Sequence, residues 1–165
     1  MIFETERLLI RKLSLDDLYL FHELESNPLV LKYATGEVKT LRENKKELKE
    51  LISKYDNIAN DFWIYAVEKK LNHKFIGTVA LVKDENDDEI GYRFLENYWR
   101  LGYASEVCEG LINYCKYLGI PKLVANVVDE SFASSKILDR FNFKVVKHFI
   151  SQDIQLPETK YELFL

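Results

Sequence analysis

The stretch Tyr98-Trp99-Arg100-Leu101-Gly102-Tyr103-Ala104-Ser105-Glu106 stands where a loop gives way to a strongly periodic segment. The first turn of a helix leaves backbone N–H groups without internal partners, and the aligned peptide dipoles put partial positive charge at that end. Such an end can hold a diphosphate. Gly102 and Ala104 keep bulk away from those amides, and Arg100 can add charge-assisted hydrogen bonds. An ordinary loop–helix junction uses the same residue types, so the surrounding elements have to decide between the two.

Periodicity supplies those elements. Ala104, Val107, Cys108, Leu111, Ile112, Cys115 and Leu118 recur at helical spacing and predict the strongest helix in the chain, which Gly119 and Pro121 stop. Before the loop, Trp63–Val67, Phe75–Val82 and Glu89–Phe94 read as a three-strand antiparallel meander, with Asp84–Asp88 as a solvated hairpin tip. After the helix, Leu123–Val128 reads as a fully apolar buried strand, Phe132–Phe141 as a helix, and Phe143–Ile150 and Thr159–Phe164 as closing strands. At the start, Arg7–Leu13 alternates as a strand does. Ser14 with Asp17, and Thr40 with Glu43, are capping pairs for two helices on either side of an irregular stretch, Pro28–Lys39, that contains Tyr33. The sum is an α/β (α+β) arrangement, a mixed and mostly antiparallel sheet of seven strands flanked by about four helices. Only the strands on either side of the Ala104 helix form a strand–helix–strand crossover.

Composition narrows the function classes. One domain, 1–165, is expected from 165 residues with 47% hydrophobic and 30% charged side chains. A net charge of −4 and the lack of a basic block argue against nucleic acid as a partner. No apolar run is long enough for a membrane span or resembles a signal peptide, so a cytoplasmic protein with no membrane association is expected. Cys108 and Cys115, seven apart on one helix, are beyond disulfide reach, and His22, His73 and His148 lack metal-ligand spacing. Free thiols and no metal are the expectation.

The loop resembles the acyl-coenzyme A diphosphate loop of the GNAT superfamily of N-acetyltransferases, whose pattern is Gln or Arg, two residues, Gly, one residue, then Gly or Ala. Trp99 stands at the Gln/Arg position, and Gly102 and Ala104 match the small ones. That Trp, together with Thr5-Glu6-Arg7-Leu8-Leu9-Ile10-Arg11, Phe75-Ile76-Gly77-Thr78, Glu89-Ile90-Gly91-Tyr92 and Ser131–Phe143, is similar to the RimJ/RimL branch along nearly the whole chain. Ser131 replaces that branch's usual Asn, and Asn142 its usual Gly.

The resemblance implies a GNAT fold in which the Gly91–Leu95 strand splays from the Val124 strand to form a cofactor groove. It implies acetyl-coenzyme A as co-substrate, with no metal. The groove would be lined by Phe94, Leu95, Arg100, Leu101, Gly102, Tyr103, Ala104, Ser105, Ser131 and Ser134. The acetyl group would pass to a primary amine, on a protein N-terminus or a small molecule, by direct attack in a ternary complex. Glu89 would be the base. Ser134 or Tyr92 would serve the leaving thiolate, because the position of the usual tyrosine acid is Leu138. Tyr33 would touch the acceptor, and a homodimer is possible. A second reading keeps the scaffold as a weak or inactive coenzyme A-sensing module, favoured by Ser131 and Leu138. A doubly wound nucleotide-binding domain is set aside, since Leu13-Ser14-Leu15-Asp16 has no glycine after the first strand.

Overall fold

Eight strands pair in the order β1-β2-β3-β4-β5-β6-β8-β7 in the computed structural model, which describes residues 1–165. They are β1 Phe3–Glu4, β2 Leu8–Lys12, β3 Phe62–Lys69, β4 Lys74–Asp84, β5 Asp87–Phe94, β6 Lys122–Val128, β7 Lys144–Ile150 and β8 Pro157–Phe164. The helices are α1 Leu18–Glu25, α2 Pro28–Leu31, α3 Leu41–Lys54, α4 Tyr103–Tyr117 and α5 Phe132–Arg140. The mixed, mostly antiparallel class is as expected, and the counts exceed expectation by one strand and one helix. β1 has two residues, too few to show alternation. α2 is a single turn inside the stretch read as irregular, started by Pro28 and by the Asn27 side chain, which accepts from Leu29 N–H at 2.9 Å.

Both expected capping pairs form. The Ser14 N–H donates to Asp17 Oδ2 at 2.8 Å, and Arg11 adds two bonds to the same carboxylate at 2.8 and 2.7 Å. The Thr40 N–H donates to Glu43 Oε2 at 2.7 Å, and the Thr40 hydroxyl accepts from the Glu43 N–H at 3.3 Å.

The parallel pair β5–β6 positions the site. It is joined only at Asp88–Leu123 and Glu89–Val124, and beyond that point the two strands part. The closed end is pinned by the acidic turn. Lys160 of β8 bonds Asp84 at 2.8 Å and Asp87 at 3.2 Å, Lys122 of β6 bonds Asp87 at 2.6 Å, and Lys83 bonds Asp88 at 2.7 Å. The tip therefore corrects the expectation of a solvated run: its carboxylates tie β5 to β6 and β8, so the strands separate at one end only. Lys160 and Lys122 come from strands far along the chain, which is why the turn alone gave no sign of the pairing.

Alternation divides the side chains between two faces. Ile90 and Phe94 of β5, with Leu123, Ala125 and Val127 of β6, pack under Val107, Cys108, Leu111, Ile112 and Cys115 of α4. The opposite face is covered over β3 and β4 by α1 and α3, through Phe21, Leu24, Leu48 and Leu51. Where β5 splays from β6 that face opens into a chamber. β7, at the sheet's edge, is exposed along most of its length, and Lys144, Lys147 and a register shift between Val145 and Lys147 guard it against further pairing. Cys108 and Cys115 are buried free thiols. No helix is long and apolar enough to cross a membrane.

Candidate active site

Past Glu89 and Val124, β5 and β6 turn unpaired peptide groups toward each other across a slot. Leu95 N–H donates to Ile76 O at 2.9 Å, toward β4. Ladder bonds alternate, so the peptide groups of Tyr92 and Phe94 face the slot. Asp129 N–H donates to Pro157 O at 2.9 Å, toward β8, so those of Asn126 and Val128 face it from the other side. Two of these groups are already engaged: Phe94 O accepts from the Trp99 indole at 2.8 Å, and Val128 O from Ser131 N–H at 2.7 Å. The remainder can receive an extended, amide-bearing arm much as an added strand would be received. This corrects one expected contact. Phe94 borders the cavity, whereas Leu95 spends its amide on β4 and packs, 3% exposed, in the core beneath α1 and α3.

At the mouth of the slot lies the loop. None of the six N–H groups from Arg100 to Ser105 donates a hydrogen bond within the chain, and the first helical bond is Glu106 N–H to Gly102 O at 3.1 Å. Gly102 holds φ +83°, a left-handed conformation that favours glycine. Arg100 is exposed and forms no ion pair, Arg140 of α5 donates to Ser105 Oγ at 3.2 Å, and no carboxylate answers either cation. Leu101 is 51% exposed and only its backbone serves the loop, whereas Tyr103 and Ala104 line the cavity. The loop is ready-made for an anion.

What holds it comes from the start of the chain. Glu106 Oε1 accepts from the Thr5 hydroxyl at 2.5 Å and Arg7 N–H at 2.7 Å, and its Oε2 accepts from Arg7 Nε at 2.6 Å. Burial alone would raise the Glu106 carboxyl; these bonds outweigh it and keep the group below its ordinary value. Arg7 lies 4.4 Å above the Tyr103 ring and donates to Leu101 O at 3.1 Å, which turns that carbonyl away from the anion side. The Thr5-Glu6-Arg7 and Gly102–Glu106 motifs are thus two halves of one contact. Replacing Arg7 with alanine should weaken coenzyme A binding about tenfold, the worth of charged hydrogen bonds. Affinity for a pantetheine fragment lacking the diphosphate should stay unchanged, and calorimetric titration of both ligands checks this.

Deeper in the slot, Ser131 Oγ donates to Ser134 Oγ at 3.2 Å. Tyr92 lies nearby, its phenol pushed up to about 12 by burial, against the influence of Ser134. Its hydroxyl is buried with no hydrogen-bond partner. Leu138, 3% exposed, belongs to the α4 core and supplies no proton.

On the opposite face, Glu89 opens the chamber. Burial raises its carboxyl above the usual range, an Asn126 N–H opposes the rise and Asp84 adds to it. Asn126 Nδ2 donates to Glu89 Oε1 at 3.1 Å, while Asn126 Oδ1 is buried and unpartnered. The chamber and slot form one cavity of about 1190 Å³. Tyr33 sits at its rim, accepting from Lys32 Nζ at 2.9 Å and donating to Glu130 at 3.4 Å, so α2 is strapped to the loop before α5. Three of the lining carboxylates are paired: Glu25 with Arg93 at 2.8 Å, Glu47 with Lys39 at 2.7 Å and Glu130 with Lys32 at 3.6 Å. Glu89, Asp153 and Glu158 line the same cavity without a cation. Burial and the nearness of Asp153 and Asp129 push Glu158 up, against a hydrogen bond with Ser151. The cavity is positive at the loop and negative in the chamber.

Residues 7–144 match the acetyltransferase (GNAT) domain. The chain belongs to the GNAT acetyltransferase family. It is 32% identical to N-acetyltransferase p20 of Bacillus licheniformis over 146 residues, 85% of this chain and 80% of that protein. Among solved structures it shares its fold with a GNAT-family acetyltransferase from Bacillus anthracis, at 22% identity and TM-score 0.84 over 98% of this chain and 97% of that one. It also shares it with RimL, the ribosomal L7/L12 α-N-protein acetyltransferase in complex with coenzyme A, at 16% identity and TM-score 0.83 over 98% and 96%. As a GNAT enzyme the protein is an N-acetyltransferase that draws its acetyl group from acetyl-coenzyme A. The free amides, the slot and the partnerless buried hydroxyl fit that ligand's diphosphate, amide-bearing arm and thioester in turn.

Three residues of this GNAT site escaped the sequence. Arg7 was visible only as part of a strand motif. Arg140 reaches the loop from a helix 35 positions away. Asn126 is the one polar residue in a strand read as fully apolar, and that interruption was the available signal.

Proposed function

We propose that the protein acetylates a cationic amine by direct attack within a ternary complex, the acceptor entering from the chamber face and acetyl-coenzyme A from the loop. The single observation that carries this reading is the slot, open across the sheet between β5 and β6, with an unpaired carboxylate, Glu89, at its closed end. The amine nitrogen forms a bond to the thioester carbonyl carbon, and the carbon–sulfur bond breaks. The nitrogen's surplus proton passes to Glu89, and the sulfur leaves as a thiolate. Tyr92, at about 12, is a weaker acid than an ordinary thiol near 8.5, so it stabilises the thiolate by donating a hydrogen bond rather than by giving up its proton. Ser134, bonded to Ser131, stands near that hydroxyl, and Tyr33 borders the acceptor. A covalent acetyl-enzyme on Cys108 is disfavoured, because burial pushes that thiol up to about 12.

The carboxylates without cations, Glu89, Asp153 and Glu158, favour an acceptor with positive charge beyond the reacting nitrogen. We place the protein in the cytoplasm, where buried thiols such as Cys108 and Cys115 stay reduced. Thiol release from acetyl-coenzyme A tests the reading. A linear polyamine or a peptide with a basic second residue should exceed an amino acid bearing a free carboxylate by about tenfold or more in kcat/KM, roughly 1.4 kcal/mol of charge complementarity. The opposite ranking overturns it.

A further inference from the structure

Asn126 is costly where it stands. Past Lys122 its strand is otherwise apolar, Leu123-Val124-Ala125 before it and Val127-Val128 after it, and these five residues are all buried. A buried amide oxygen with no partner destabilises a fold, and Asn126 Oδ1 is such an atom. The nitrogen of the same amide is engaged, one of its N–H groups holding Glu89 at 3.1 Å. The position is also particular. Asn126 is the second residue of β6 past the last β5 pairing, so its peptide group faces the slot while its side chain lines the chamber. No other residue of β6 presents both a slot-facing peptide group and a polar side chain.

We propose that Asn126 is an acceptor-binding residue whose Oδ1 receives a hydrogen bond from the incoming amine while its Nδ2 holds the Glu89 carboxylate in line to take the proton. The inference rests on the role given to Glu89 above. An unpaired acceptor oxygen beside a carboxylate suits a donor-rich group, and an amine or ammonium is one. With one N–H on Asn126 Oδ1 and another toward Glu89, the nitrogen's lone pair is left to point into the slot, where the thioester carbonyl is reached. The amine is oriented from the strand that also lines the cofactor's arm, so the two reactants share one reference point.

Asn126→Val separates this role from a structural one, since valine suits a strand and removes the orphan atom. At a pH low enough to protonate Glu89, the variant should melt at the same temperature as the wild-type protein or higher, and it should bind coenzyme A unchanged. Its kcat/KM for the best amine of the panel should fall about 10- to 100-fold, as for loss of a hydrogen bond to a charged group. A second readout needs no turnover. Carbon-13 NMR of the Glu89 carboxyl should show it titrating at higher pH in the variant, because a stabilising N–H is gone. The other charged groups that act on Glu89 are Asp84 of the hairpin and Lys160 of β8, which binds Asp84 and Asp87. The variant leaves all of them in place. A lower melting temperature with matching losses in coenzyme A and amine use would mark Asn126 as merely structural. Unchanged kcat/KM or unchanged Glu89 titration would overturn the proposal. If the wild-type protein acetylates no amine, the functional reading fails instead, and the NMR titration still decides whether Asn126 governs Glu89.

Discussion

Glutamate in place of Gly102 should abolish measurable coenzyme A binding while leaving the fold intact. Two effects act together. Gly102 sits at φ +83°, where a residue with a Cβ is strained by roughly 1–2 kcal/mol. A Cβ there would also stand 3.3 Å from an Arg7 guanidinium nitrogen, so that side chain would have to give way slightly. The larger effect is charge. The unbonded amides from Arg100 to Ser105 hold no attraction for a diphosphate once a carboxylate lies among them. A loss exceeding about 100-fold, roughly 2.7 kcal/mol, is expected by calorimetric titration. Gly102→Asn is the control: asparagine tolerates the left-handed conformation and carries no charge, so most of the affinity should return. Equal affinity in the glutamate variant would place the diphosphate elsewhere.

Glu89→Gln should lower kcat by about 10²- to 10⁴-fold, the range for a positioned general base, with little change in coenzyme A affinity. The pH profile carries the sharper test. Burial holds the Glu89 carboxyl above its ordinary value, so in the wild-type protein kcat/KM should climb with pH through that raised value as the base ionises. In the glutamine variant that limb should vanish, leaving only the rise from the free amine's own deprotonation. Stability should move the other way. A carboxyl whose folded-state value is raised binds its proton more tightly in the folded protein, so its contribution is intact at low pH and lost as pH rises through the unfolded and then the folded value. The glutamine variant should therefore melt higher than the wild-type protein at neutral pH, and the gap should close on acidification. A rate loss with a lower melting temperature at neutral pH would point to damage rather than to a missing base.

The parts of this site legible in the sequence are those specified locally. Helix periodicity and Gly102 announced a helix end with unbonded amides because helix ends and left-handed turns depend on a few consecutive residues. The capping pairs at Ser14 and Thr40 were legible for the same reason. The parting of β5 from β6 entered through family likeness, and the ion pairs of Asp84 and Asp87 with Lys160 and Lys122 that confine it to one end were not foreseeable from either strand. Leu95 was misassigned by parity: which peptide groups face the slot depends on the register with β4, and a one-residue slip exchanges the two edges. Asn126 and Arg7 act through partners 37 and 99 positions away, at distances along the chain where spacing says nothing.

The strand order has a further consequence for how this enzyme is made. β8 follows β7 in the chain yet lies between β6 and β7, so during synthesis both neighbours emerge before the strand that joins them. Until β8 inserts, the edge of β6 that it will cover stays open, and Lys160 is not yet present to tether the acidic hairpin. The sheet is thus continuous only once β8 is in place. A product ending just short of it would be left with bare sheet edges, a form prone to stick to its own kind before it could ever turn over substrate.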